Sequence, residues 1–130
     1  MGFVIVLAAD EARPAELREV SDDRSVFRQA RELIGDVAEV VRARWLHEMA
    51  PELWPVMVVD ENGHAKGLPL NVRAARLYGG GPIAGDAILC HERRVGMHVE
   101  ELCGFARVQA EELRAAVTDG LRGREGTSLN

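Results

Sequence analysis

Residues 56–89 constrain the fold of this chain more than any other stretch; they read VMVVDENGHAKGLPLNVRAARLYGGGPIAGDAIL. Within 34 residues they contain an Asn-Gly turn, a short capped helix, three consecutive glycines and a second apolar segment. Backbone constraints as dense as these indicate a fixed geometry rather than a linker.

The first half of this segment predicts a hairpin. Residues 56–59 are apolar and β-branched, which is typical of a strand. Asn62 and Gly63 follow, and both tolerate the positive φ angles of a type I′ turn. We therefore expect a short return strand at residues 64–67, ended at Pro69 because proline has no N–H for the ladder.

The second half predicts a helix followed by a strand. Asn71 is placed to cap a helix over residues 72–78, with Gly79 as its C-terminal stop. A tight glycine connector then leads to Pro82. Residues 83–90 form the next predicted strand, in which Gly85 could mark a bulge.

The flanking regions supply further elements. Residues 2–9 read as a buried strand and residues 17–20 as a short extended piece. Residues 21–23 offer a cap and acidic residues for a helix that ends at Gly35, with one apolar face. We predict a strand at residues 36–46 and a polar connector at residues 47–53.

The C-terminal region predicts a long helix within residues 99–121. Its apolar residues recur at helical spacing: Leu102, Phe105, Ala106, Ala110, Leu113, Ala116, Val117 and Leu121. We expect residues 123–130 to be a disordered tail. The predicted fold is therefore α+β: a single domain over residues 1–122, with a mixed sheet of about four or five strands and two or three helices.

Charge and composition narrow the function classes. The net charge of −5 argues against nucleic-acid binding, which depends on neutralising phosphates. The apolar start meets charge at Asp10, far short of a membrane span, and it has no basic region before it. Two cysteines without a secretory signal read as reduced thiols, so we expect a cytoplasmic protein.

No catalytic or metal-binding signature is visible. Cys90, His91, His98 and Cys103 could be assembled into a zinc site, but structural zinc ligands usually come in two closely spaced pairs. Here the steps between them are one, seven and five residues. We therefore assign no metal site and no cofactor, and we expect the chain not to be an enzyme. Whether these four residues bind a metal stays open.

The candidate binding residues are Asn71, Arg73, Arg76, Tyr78 and Asp86, which surround the predicted helix and glycine turn. The glycines follow a helix rather than precede one, and carbonyl groups at a helix C-terminus repel anions, so a phosphate loop is disfavoured. The alternative is that Asn71 is a helix cap and Asp86 bonds nearby amides. We interpret Trp45 and Trp54 as core residues in preference to a binding platform.

A family resemblance falls on the same segment. Gly67-Leu68-Pro69-Leu70-Asn71, Gly79-Gly80 and Gly85-Asp86-Ala87 resemble a small uncharacterised family of bacteriophages, plasmids and other mobile elements, including those of actinobacteria. The resemblance implies no established activity, cofactor or catalytic residue. It covers residues 53–90 best, and this chain departs from the pattern with an extra glycine in the turn.

These observations favour a non-catalytic accessory protein of a phage or mobile element. We expect it to bind a host or phage protein and to self-associate, as a homodimer, through the helix of residues 99–121. The alternative is a small-molecule binder, with a nucleotide-like ligand at the candidate residues. A metal-dependent enzyme is a minor alternative.

Overall fold

Six segments of the chain pair as strands in a computed structural model, which describes residues 2–35 and 37–128, with side chains as far as residue 120. The strands are β1 (Gly2–Leu7), β2 (Glu16–Val20), β3 (Ala38–Val41), β4 (Pro55–Asp60), β5 (Ala87–Val95) and β6 (His98–Cys103). The helices are α1 (Val26–Ile34), α2 (Arg44–Met49), α3 (Val72–Tyr78) and α4 (Arg107–Ser128), with a short 3₁₀ turn at Pro51–Leu53.

The strands form one sheet in the order β2-β1-β5-β4-β3, and β6 pairs with the second half of β5. The prediction of a single small α+β domain with a C-terminal helix is confirmed. The sheet itself is antiparallel at each of its described pairs rather than mixed. Two helical connections, α2 between β3 and β4 and α3 between β4 and β5, join antiparallel neighbours, whereas α1 crosses from β2 at one edge of the sheet path to β3 at the other.

Helices cover both faces of the sheet. On one face α1 buries Val26 and Ala30 against Val58 and Ile88. On the other face α2, α3 and α4 enclose a larger core, to which α2 contributes Leu46, α3 contributes Leu77 and α4 contributes Leu113. Because β4 lies between these layers, all six of its residues are buried.

The predicted hairpin at Asn62-Gly63 is wrong. Neither residue has a positive φ, which a type I′ turn requires at both. Instead the Asp60 carboxylate accepts a hydrogen bond from the Asn62 N–H at 2.8 Å, and residues 61–67 coil into consecutive turns. Gly63 is packed so closely that an added Cβ would lie 2.5 Å from the Ala84 carbonyl oxygen.

The predicted strand at residues 36–46 is too long, and its end is helical. β3 ends at Val41, and α2 occupies residues 44–49 where a strand and a polar connector were expected. Ala43, Leu46 and Ala50 are all buried. Their spacing of three and four residues is a helical period that the neighbouring valines obscure.

The region after β5 also differs from the prediction. Residues 98–103 form β6 where the C-terminal helix was expected from residue 99, and His91 and His98 both lie on strands. Gly96, with a φ of 61°, makes the turn between β5 and β6. Arg93 then bridges to Glu100 at 3.0 Å and to Glu101 at 2.9 Å across the two strands.

The C-terminal helix begins at Arg107 and is packed inside the domain. Ala110, Leu113 and Val117 are buried in the main core, which removes the apolar stripe as a ready surface for self-association. The backbone of α4 is helical to Ser128. Disorder was predicted for residues 123–130. The side chains of these residues and the backbone from residue 129 lie outside the described part of the structure, so disorder there stays a prediction.

Both predicted helix caps near the sheet are present, one of them shifted. Ser25 rather than residues 21–23 caps α1, with its hydroxyl accepting from the Arg28 N–H. Gly35 ends α1 as predicted, with a φ of 141°. Asn71 and Gly79 bound α3 as predicted.

We expect the ion pair of Asp60 and Lys66 to make stability depend on pH. The Lys66 ammonium, 2.8 Å from the carboxylate, holds the pKa of Asp60 below its ordinary value despite burial. Asp60→Asn should therefore lower the free energy of unfolding at pH 7 by about 1–2 kcal/mol. A carboxyl group whose pKa is lowered by folding stabilises the fold fully at pH values above its pKa in the unfolded chain, and this contribution is lost as the pH falls through the folded pKa. The difference in stability between the wild type and Asp60→Asn should therefore shrink as pH falls below about 4.

Urea denaturation at pH 7 and pH 3 measures this effect. Glu32→Gln is the control, because its ion pair with Arg24 is exposed and should contribute less than about 0.5 kcal/mol. An Asp60→Asn difference that stays constant or grows toward pH 3 would show that the ion pair is not its source.

Candidate functional site

Asn71 is buried and fully engaged with the backbone. Its Oδ1 accepts from the Ala74 N–H at 3.0 Å, which caps α3. Its Nδ2 donates to the carbonyl oxygens of Leu7 at 2.9 Å and Gly85 at 3.0 Å. The side chain thus joins the end of β1, the start of α3 and the approach to β5.

Arg73 and Asp86 hold the connector that follows β1. An Arg73 guanidinium nitrogen donates to the carbonyl oxygens of Ala8 at 2.6 Å and Asp10 at 3.2 Å. The Asp86 carboxylate accepts from the Ala9 N–H at 2.9 Å. One guanidinium nitrogen and one carboxylate oxygen therefore position residues 8–10, while Arg73 Nε is buried without a hydrogen-bond partner.

Tyr78 and Arg76 have different surroundings. The Tyr78 ring packs against the main core and so close to Gly80 that an added Cβ there would lie 2.9 Å from the ring. Arg76 lies with Asn71 at a groove of about 320 Å³, whose other walls are apolar residues of 70–72, 75 and 81–83. The five candidate residues thus surround α3 without converging on one polar site, and their role in binding stays a prediction.

We expect Asn71→Ala to lower the free energy of unfolding by about 2–4 kcal/mol, because it removes a helix cap and two bonds to buried carbonyls. Asp86→Ala, which removes one bond at an exposed side chain, should cost less than about 1 kcal/mol. Thermal and urea denaturation of both variants measure the difference. Equal losses would contradict the structural role assigned to Asn71.

The cysteine and histidine residues do not gather into one cluster. Among the described side chains, residues 2–35 and 37–120, no three His, Cys, Asp or Glu stand together as metal ligands could. Cys90 points into the core against α1, whereas the ring of neighbouring His91 stacks on Phe105 in the main core. Burial raises the pKa of Cys90 to about 12 and also raises that of Cys103.

A thiol with so high a pKa should not react while the protein is folded, because the thiolate is the reactive form. We expect Cys103→Ser protein, whose one remaining thiol is Cys90, to stay unmodified by iodoacetamide at pH 8 and to take one adduct in urea. Intact mass measures both states. Rapid modification of the folded variant would show that Cys90 is accessible.

Trp54 is the one non-glycine residue with a positive φ among the described residues, at φ 53° and ψ 54°. A left-handed conformation is unfavourable for a bulky side chain, and the proline that follows Trp54 favours an extended backbone instead. The carbonyl of Trp54 accepts from the Glu92 N–H at 3.0 Å, which ties this conformation to β5. Backbone strain that the surrounding structure imposes occurs often at functional sites.

The Trp54 ring lies at the surface between a cation and an imidazole. It is exposed, contrary to its interpretation as a core residue. The Arg94 guanidinium carbon lies 4.1 Å from the ring centre and the His47 ring 5.1 Å from it. Trp45 is half-buried, and the Arg44 guanidinium lies 4.7 Å above it.

A concavity of about 350 Å³ adjoins this ring, and we name it the Trp54 groove; residues 42–44, 47–48 and 54–55 line it. Arg42 is held there by two bonds, of 2.6 and 3.1 Å, to the buried Glu92 carboxylate. Arg44, which stacks on Trp45, has a loose ion pair of 3.9 Å with Glu48. The groove therefore combines an aromatic ring with arginines, the residue types enriched where proteins bind one another.

The sequence interpretation did not identify this groove. Its lining residues fall within positions 42–55, from just after β3 through α2 to the start of β4, and only the fold brings Arg94 of β5 beside the Trp54 ring. The available signal was Trp54 directly before Pro55, since a bulky residue outside any apolar stripe and next to a proline does not fit a core position.

The fold and this surface define a small α+β domain with an aromatic, arginine-lined groove. No family model matches the sequence, and no curated protein matches it. One solved structure with a similar fold is "Crystal structure of small RNA methyltransferase HEN1", with a TM-score of 0.60 and 15% identity over 88% of this chain. This chain spans 16% of the length of that protein, and at this identity the likeness shows the fold alone.

Proposed function

We propose that this protein is a non-catalytic binding module that recognises another protein through the Trp54 groove. The observation that carries the proposal is the conformation of Trp54: an exposed ring is held in a strained backbone geometry by the sheet. A left-handed residue before a proline persists only where the surrounding structure imposes it. The exposed ring and the neighbouring arginines have the composition of a binding hot spot.

The partner surface that we propose differs from the one expected at α3. There Asn71, Arg73 and Asp86 bond the chain itself, and the adjoining groove has apolar walls. A nucleotide-like ligand needs unoccupied polar groups aimed into a pocket. Protein binding at the Trp54 groove is therefore better supported than the small-molecule alternative.

The biological setting remains part of the proposal. The resemblance to a family of mobile elements points to a host or phage protein as the partner, encountered in the cytoplasm. None of the helices in the described part of the chain is long and apolar enough to cross a bilayer. The proposed self-association uses a surface other than the buried stripe of α4.

Site-specific cross-linking tests the proposed function. We place the photoreactive residue benzoylphenylalanine at Glu48, which is exposed at the groove, and irradiate the cells that make the protein. We expect a discrete adduct to a second protein, which Trp54→Asn removes because the aromatic ring is lost. Asn tolerates the left-handed conformation, so this variant should change the free energy of unfolding by less than about 1 kcal/mol.

The matched control carries the photoreactive residue at Glu11, an exposed position in the connector after β1. It should give no adduct to the same protein. The proposal is contradicted if Glu48 gives no discrete adduct, or if Trp54→Asn folds normally and leaves the adduct unchanged.

A further inference from the structure

The two edge strands at the ends of the sheet path differ in how they resist pairing with another chain. β2 carries Glu16, Arg18 and Glu19 among five residues, with Arg18 bonded to Glu16 at 3.1 Å. β3 carries one charge, Glu39, among four residues. Charged side chains are a common means of blocking an exposed sheet edge, so β2 is protected and β3 much less so.

The open edge of β3 also displays apolar side chains. In the described sheet its one neighbour is β4. Val40 within β3 and Val37 directly before it are each 40% exposed. An edge strand with unpaired backbone groups and exposed valines can accept an added strand, a recurring mode of peptide recognition.

The register of the sheet brings this edge to the Trp54 groove. Val41 pairs with Met57, so Pro55 lies two positions beyond the end of β3. At about 3.4 Å per residue this is a distance of about 7 Å. An extended segment that pairs with β3 therefore reaches the groove after two or three more residues.

The charge of the groove selects the chemistry of that segment. Arg42, Arg44 and Arg94 stand at or beside the groove with two glutamates, of which Glu92 is buried under Arg42. The Arg44 guanidinium is exposed and only loosely paired. A carboxylate is its natural partner, because arginine binds carboxylates with two parallel hydrogen bonds.

We propose that the partner binds as an extended strand, adding to the free edge of β3 and placing an acidic side chain beside Arg44. The segment carries an apolar residue against Val40 and a carboxylate further along, at the groove. This inference rests on the proposed function and specifies the chemistry of the partner.

A displayed library of random 12-residue peptides supplies the probe. Peptides that bind the full chain but not its Trp54→Asn variant are synthesised, and their dissociation constants are measured. In an added strand, alternate N–H groups face the neighbouring strand. Single N-methylation of the peptide should therefore weaken binding at least tenfold at alternate positions and less than about twofold between them.

Charge reversal provides the second readout. Arg44→Glu should weaken binding at least tenfold, whereas Arg13→Glu, which changes the net charge equally at the opposite end of the sheet, should change it less than about twofold. Replacing the acidic residue of the peptide with its amide should reproduce the effect of Arg44→Glu. Arg44→Glu protein that binds as tightly as the wild type would overturn the charge assignment.

Three other results would overturn strand addition. One is Trp54-dependent binding that shows no alternating effect of N-methylation, which would leave the proposed function intact. Another is the absence of any Trp54-dependent peptide, in which case the cross-linking at Glu48 decides the proposed function separately. The third is a dimeric mass in solution that Val40→Lys reduces to a monomer, since a second copy would then occupy the edge.

Discussion

The side chain of Asn71 is the interaction on which the central part of this fold depends. Its three hydrogen bonds join β1, α3 and the approach to β5, which are distant in the sequence but adjacent in the structure. Arg73 and Asp86 extend the same network to the connector after β1. The segment of residues 56–89, which most constrains the fold, therefore has a structural role, and its polar side chains bond mainly to the chain itself.

The sequence predicted correctly those elements whose ends depend on residues close to them in the chain. The cap at Asn71 and the stop at Gly79 needed only neighbouring residues, and α3 has the bounds that they imply. Asn62-Gly63 failed as a hairpin because Asp60, held by Lys66, binds the Asn62 N–H and starts a different turn. β6 was missed because it mixes charged residues with Leu102, which fits the helical stripe, so no apolar alternation reveals its pairing with β5.

The binding surface was the least predictable part. Trp54 reads as a core residue because aromatic residues are usually buried, and its left-handed backbone cannot be inferred from its neighbours. Arg94 and His47, which flank its ring, come from β5 and α2. The long C-terminal helix is the opposite case: its apolar stripe suggested a surface for self-association, yet Leu113 and Val117 complete the core, and self-association stays a prediction.

The account depends most on the claim that Trp54 is kept at the surface for binding. The chain has two tryptophans, so the ¹⁵N–¹H spectrum of the labelled protein contains two indole signals. On addition of the partner identified by cross-linking, the signal of Trp54 should shift together with the amides of β3, while that of Trp45 stays nearly unchanged. A complex in which the Trp54 signal does not move would contradict the account.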